Sequence, residues 1–253
     1  IKKNSGSNTK GVDGKNISNL AKLEPETLIK LVQNKLRNYF PNKVRRVEIP
    51  KLDGKLRPLG IPTIMDRLIQ QCILQVLEPI CEAKFYKHSY GFRPLRSTKH
   101  AISRAYHLAQ QNNLHYVVDV DIKGFFDNIN HGKLLKQLWT VGIRDKSLIA
   151  VISKMLKAEI ENIGIPDKGT PQGGILSPLL ANVVLNEFDW WIASQFEEIK
   201  TKFNYKPSIK DGKEYNDTKI RTLKNKTKLK EVYIVRYADD FKLFCRNHQD
   251  AVK

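Results

Sequence analysis

Cysteine is scarce in this chain, acid is outnumbered by base, and no apolar run approaches the length of a bilayer. Three cysteines occur in 253 residues (Cys72, Cys81 and Cys245), none in CxxC spacing, which excludes a zinc ribbon and argues against a disulfide scaffold. Cys72 and Cys81 sit in apolar stretches, where core packing is their expected role. The six histidines form no HExxH-like cluster and are assigned no metal. A membrane span needs about 20 consecutive apolar residues; none is found, nor is an apolar signal core, and a reducing interior fits the cysteine usage. The chain opens on Ile1 instead of Met, which suggests a trimmed or excised fragment.

What is present is enough for a folded core and a strong field. A 29.1 kDa chain with 41% hydrophobic and 9% aromatic residues is not disordered and corresponds to one or two domains. Lys and Arg number 44 against 26 Asp and Glu, a net charge of +18. A surplus of that size points to a polyanionic partner, because phosphates release counterions when Lys and Arg neutralise them. The plainer alternative is a soluble protein that is merely basic.

Residues 1–16 are polar and Gly-rich, a lead-in or surface loop. Helical periodicity follows Pro25, and VRRVEIPKLDGKLRPLGIP (44–62) reads as a β-hairpin with an Asp53-Gly54 turn. Asp66 is expected to cap a helix with the stripe Leu68, Ile69, Cys72, Ile73, Val76, Leu77, ending or kinking at Pro79. Further helices are expected near 97–111, 131–140, 145–158 and 177–197, the last with Ser177 as cap and Pro178 in the first turn. Strands are expected at 115–122 and as a pair over 232–245. Residues 199–231 hold ten lysines and Arg221 against four acids, and the default reading is a solvated insertion.

Acid stands where acid is costly. Asp239 and Asp240 interrupt the apolar runs YIV and FKLF, although strands disfavour Asp and adjacent carboxylates repel. A turn explains their backbone but not why both are acids. Asp119 and Asp121 alternate with Val118, Val120 and Ile122, so both side chains point to one strand face. If these strands pair, three carboxylates reach one sheet end, a hard-oxygen set that selects Mg²⁺ or Mn²⁺. Two such ions about 3.5–4 Å apart serve in-line phosphoryl transfer. A single structural ion and unrelated strand-end acids are the alternatives.

These residues carry a resemblance. YADD (237–240) resembles the YxDD hairpin of reverse transcriptases, and VVDVDIKGFFDNINH (117–131) resembles that family's first catalytic strand. GTPQGGILSPLLANVVLNEFD (169–189), IPKLDGKLRPLGIPTIMDRLIQQ (49–71) and YGFRPLRSTKHAI (90–102) resemble blocks of bacterial group II intron-encoded reverse transcriptases of the maturase type. The blocks keep the family's order over residues 11–245.

The resemblance implies an RNA-directed DNA polymerase of α+β class, a right hand of fingers and palm with an antiparallel, ferredoxin-like palm sheet on helices and no thumb. Fingers are expected over 1–90 and 132–165, palm over 91–131 and 166–253. Asp121 and Asp239 would be ligands of two Mg²⁺ ions (Mn²⁺ as substitute), with Asp240 a third carboxylate and the Ile122 carbonyl a backbone ligand. Asp119 and Asp127 do not match ligand positions, and structural roles are expected for them. Phe126 corresponds to the aromatic that screens the sugar 2′ position, and Phe125 is expected in the core. Lys51 and Arg57 match cations that clamp the triphosphate, and Gln172 the glutamine near the incoming nucleotide. Gly173 and Gly174 would allow close backbone approach to template or nucleotide, and Arg45 and Arg67 would contact template or phosphate. The implied partners are a group II intron RNA template, a DNA or RNA primer and dNTPs, with no membrane and with self-association into a homodimer. The implied location is bacterial cytoplasm or an organelle. Two other functions compete: a non-catalytic RNA-binding splicing cofactor, and an RNA-dependent RNA polymerase, against which Phe126 argues.

Overall fold

The computed structural model describes residues 1, 4–50, 54 and 56–252. In chain order the elements are α1 (Ile17–Ala21), α2 (Pro25–Arg37), β1 (Arg45–Pro50), β2 (Leu56–Ile61), α3 (Ile64–Glu82), α4 (Thr98–Tyr106), β3 (Tyr116–Asp121), α5 (His131–Val141), α6 (Lys146–Leu156), α7 (Ser177–Gln195), β4 (Ser208–Lys210), β5 (Lys213–Tyr215), α8 (Asp217–Lys226), β6 (Val232–Tyr237), β7 (Asp240–Cys245) and α9 (His248–Val252). This is a mixed helix and antiparallel-sheet chain. It divides into two compact units, Ile1–Lys84 with Lys123–Val184, and Phe85–Ile122 with Leu185–Lys253.

In the first unit, β1 and β2 form the antiparallel hairpin that the alternation of 44–62 predicts, with Arg45 opposite Ile61 and Ile49 opposite Arg57. Lys51 and Asp53 lie outside the described residues. Helix α3 is capped by Thr63 and not by Asp66: the Thr63 hydroxyl oxygen accepts from the Asp66 amide at 3.3 Å and its proton goes to the Asp66 carboxylate at 2.7 Å. Asp66 is buried in the first turn and also accepts from the Tyr39 hydroxyl and from both nitrogens of Asn42, so its charge is fully hydrogen-bonded. Burial, with Asp66 beside it, pushes the Tyr39 hydroxyl well above its ordinary range. The stripe of α3 buries Ile69, Ile73, Leu77 and Cys81, each aliphatic side chain contributing about 1.5–3 kcal/mol. Val76, expected in that stripe, is 60% exposed.

In the second unit the sheet order is β3-β7-β6, all antiparallel. Strand alternation sends Tyr233, Val235 and Phe244 into one core with Ala101 and Leu108, and Ile234 and Phe241 into another with Ile192 and Ala193 of α7. Both faces of β6 are therefore covered, which is why it reads as a continuous apolar run instead of an alternating one. The lysine-rich 199–231 stretch is more than a solvated loop. Its helix α8 buries Leu223 in the first of these cores, and Lys224 pairs with buried Glu231 at 2.6 Å. No helix among the described residues is long and apolar enough to cross a membrane.

Candidate active site

The acids expected to carry the chemistry lie in the second unit. Strand β6 ends at Tyr237, whose register partner is Asp240, so Ala238 and Asp239 alone form the turn between β6 and β7. Across the other ladder, Asp240 is the register partner of Asp121, the last residue of β3, and Ile122 follows directly. Residues opposite one another share a face, so Asp119, Asp121, Asp240 and Lys242 lie on one side of the sheet. Lys242 pairs with Asp119 at 2.7 Å and stands 3.7 Å from Asp240. The hydrogen bond to Asp119 first, and then Asp240, raise the lysine's proton affinity. Asp119 thus has a cation of its own, unlike Asp121 and Asp239, whose side chains have no ion-pair or hydrogen-bond partner among the described residues.

Three carboxylates and a following carbonyl are hard oxygen donors of the kind Mg²⁺ or Mn²⁺ takes, and the strand register fixes their backbone at one sheet end. Among the described residues no three His, Cys, Asp or Glu side chains close on one point. Exposed carboxylates change rotamer in picoseconds to nanoseconds, so backbone placement decides the fit, and by that measure these residues suit the ion.

The turn itself is held from two sides. Ala238 has φ 59°, a conformation that side-chain-bearing residues avoid. Arg236, one residue before the strand's end, is 1% exposed and donates through Nε and Nη2 to both oxygens of Asp189, each at 2.7 Å, and through Nη1 to the Ala238 carbonyl at 2.6 Å. Burial raises the Asp189 carboxyl despite the arginine beside it. Residues 88–90 run along the edge of β6: the Arg236 amide donates to the His88 carbonyl and the Tyr90 amide to the Arg236 carbonyl. At Gly91 a Cβ would fall 2.2 Å from the Ala238 nitrogen, so only glycine lets the segment pass.

The first unit gathers the residues expected around the nucleotide. Arg57 Nε donates to Gln172 Oε1 at 2.8 Å, and Gln172 Nε2 donates to both Asp127 oxygens at 3.0 and 3.2 Å. The two neighbours define the orientation of the amide. Phe126 is half-buried and Phe125 buried, in edge contact with one another. The loop 169–172 is laced to this segment by the Thr170 amide on the Phe126 carbonyl and to β2 by the Gly60 amide on the Gln172 carbonyl. Gly173 has φ 112°, and its Cβ would meet the Gly60 carbonyl at 2.6 Å. A Cβ on Gly174 would meet the Ser177 hydroxyl at 2.7 Å. Packing of the loop on the hairpin and on α7 therefore accounts for both glycines.

Arg67 departs from the phosphate contact expected of it. It is buried, and its two terminal nitrogens donate to the carbonyls of Gly6 and Thr9 at 2.8 and 2.6 Å, tying the N-terminal segment to α3. Desolvation lowers its proton affinity. Arg45 lies half-buried at the start of β1. Lys51 lies outside the described residues. Sequence reasoning missed Asp189, Arg236 and Gly91, although a lone Arg inside the apolar run VYIV-R-Y was a visible signal.

The pattern of the reverse transcriptase (RNA-dependent DNA polymerase) family matches residues 49–253. The chain belongs to the reverse transcriptase family. Its relatives include a group II intron-encoded protein and nuclear intron maturases. The chain is 39% identical to the group II intron-encoded protein LtrA of Lactococcus lactis subsp. cremoris over 85% of the chain and 35% of LtrA. It is 37% identical to protein YkfC of Escherichia coli over 98% of the chain and 66% of YkfC. Nuclear intron maturase 2, mitochondrial, of Arabidopsis thaliana is 30% identical over 58% of the chain and 25% of that protein. The chain thus spans from a third to about two thirds of the length of the first two relatives.

Proposed function

We propose that this chain carries the RNA-directed DNA polymerase centre of a group II intron-encoded protein, which copies RNA into cDNA during intron mobility. The palm is read over residues 91–131 and 166–253, and the fingers over 1–90 and 132–165. Asp121 and Asp239 hold two Mg²⁺ ions in this reading, with Asp240 as third carboxylate and Ile122 as carbonyl donor. When bound, the ions supply Lewis acidity to the primer hydroxyl and to the departing pyrophosphate. The protein's own contributions are binding and selection. Arg57, with Lys51, neutralises part of the triphosphate charge; Phe126 leaves no room for a ribose 2′-hydroxyl; Gln172, oriented by Arg57 and Asp127, faces the incoming nucleotide.

The observation that carries the reading is the placement of Asp121 opposite Asp240 with Asp239 in the adjoining two-residue turn, in a chain of this family. The test is Mg²⁺-dependent dNTP incorporation on an RNA template by the full-length protein. Asp239→Asn abolishes it if the assignment is correct, and unchanged incorporation refutes it.

A second role rests on the +18 charge and on relatives named as intron maturases: binding intron RNA to assist splicing. Splicing assistance by Asp239→Asn separates the two, because RNA binding through the basic surface does not need the carboxylate.

A further inference from the structure

We infer that Arg236 is the positioning residue of the aspartate turn, anchoring it to α7 through Asp189 and fixing the Ala238 carbonyl; the inference rests on the polymerase reading of that turn. A buried ion pair is weak grounds for stability, since apolar side chains of equal volume would serve a core as well. The geometry of this one gives it another purpose. Arg236 spends two nitrogens on Asp189 and a third on the carbonyl of the turn's first residue, so the guanidinium plane ties the residue before Asp239 to a helix. That residue, Ala238, is held at φ 59°, a backbone state that persists only where surroundings impose it. The turn also abuts Gly91, where a Cβ would come within 3.0 Å of Ala238 and Tyr237 backbone atoms. A guanidinium and a glycine both contact the backbone atoms that precede Asp239. Ligand placement matters at this level, because a misplacement of about 1 Å costs on the order of 100-fold in rate.

The experiment uses the full-length protein and reads three quantities: Mn²⁺ binding by electron paramagnetic resonance, the Mg²⁺ concentration that half-activates dNTP incorporation, and the unfolding temperature. Arg236→Lys keeps the charge, but one ammonium cannot serve both Asp189 oxygens and Ala238. Gly91→Ala changes neither partner of the ion pair and presses on the Ala238 backbone directly. Both are expected to weaken Mn²⁺ binding and raise the Mg²⁺ requirement by about tenfold, the usual effect of losing a ligand's support, with template–primer KM within twofold of the parent. Glu197→Gln, which disturbs the same unit without touching Arg236, Asp189 or Gly91, is expected to lower the unfolding temperature with Mn²⁺ binding unmoved. The inference is overturned if folded Gly91→Ala and Arg236→Lys bind Mn²⁺ as the parent does while Asp239→Asn does not, or if Glu197→Gln weakens binding as much as they do. Should Arg236→Lys fail to fold, Gly91→Ala decides alone. Parental Mn²⁺ binding by Asp239→Asn instead brings down the polymerase reading, and the positioning role with it.

Discussion

Asp121 stands directly opposite Asp240 across the β3–β7 ladder. Like charges in that relation, with Cβ atoms about 4.5–5.5 Å apart, destabilise a sheet by about 0.2–1 kcal/mol. A structural strand end has no use for the cost, whereas a cation site does. Asp121→Asn is therefore expected to stabilise the protein by up to about 1 kcal/mol while lowering dNTP incorporation by at least about 100-fold. Denaturant unfolding and primer extension on the same preparation measure both. A variant that is less stable than the parent would remove the repulsion argument.

Lys242 lies on the same face and competes for Asp240. Its ammonium is shared between Asp119 at 2.7 Å and Asp240 at 3.7 Å, an exposed arrangement contributing little to stability, about 0.2–1 kcal/mol at most. Lys242→Met leaves Asp240 without that counter-charge, and a divalent ion then meets less competition. The half-activating Mg²⁺ concentration is expected to fall about two- to fivefold, corresponding to a charge interaction of that order. A rise in the Mg²⁺ requirement would mean that Lys242 supports the acid cluster instead of competing with it.

Asp127 is expected to act through Gln172. Without its carboxylate the Gln172 amide keeps only the Arg57 contact, and its orientation is no longer set from both ends. A lost charge-assisted hydrogen bond at a partly exposed site amounts to about 1–2 kcal/mol. Asp127→Ala should accordingly raise the KM for dNTP about 5- to 30-fold, with a smaller change in kcat and no change in template–primer binding. Steady-state kinetics with each dNTP in turn checks this.

Much of the fold, and the arrival of the acids at one sheet end, was legible in the chain because the signals there are local or periodic. Alternation in VVDVDI fixes which face Asp121 shares with Asp119, and Asp-Asp between two apolar runs marks a turn. What was hidden depends on pairing over long separations. Asp66 reads as a helix cap by spacing, yet Thr63 takes that place and Asp66 collects Tyr39 and Asn42 from 24 or more residues away. Arg67 reads as a surface cation, but the N-terminal carbonyls of Gly6 and Thr9 draw it inward. The lysines of 199–231 masked Leu223, one apolar residue whose burial settles the position of α8.

The second unit should lose stability in acid, through His88 and Glu197. His88 is surrounded by Lys87, Arg104, Tyr86, Tyr90 and Glu197, with Glu198 paired to Lys87. Burial, with the charges of Arg104 and Lys87, holds its pKa below the ordinary value, and Glu197 opposes this only in part. A neutral ring protonated at Nε2 meets both partners, accepting from Tyr90 at Nδ1 and donating to Glu197, a tautomer assigned from those contacts. Glu197 is held below the carboxylate range: burial raises it, but the His88 hydrogen bond and the charges of Lys87 and Arg104 prevail. For both groups the folded pKa is depressed, so the unfolded chain takes up protons first as pH falls. His88 begins to withdraw stability below about pH 6.5, and Glu197 below about 4.3. Between pH 7 and 5 stability should fall with pH, with a slope below about 1.4 kcal/mol per pH unit, the limit for one proton. His88→Gln keeps a donor near Glu197 and cannot titrate, so its unfolding free energy should be flat across that interval. Equal slopes for parent and variant, measured by denaturant unfolding at each pH, would clear His88 of the effect.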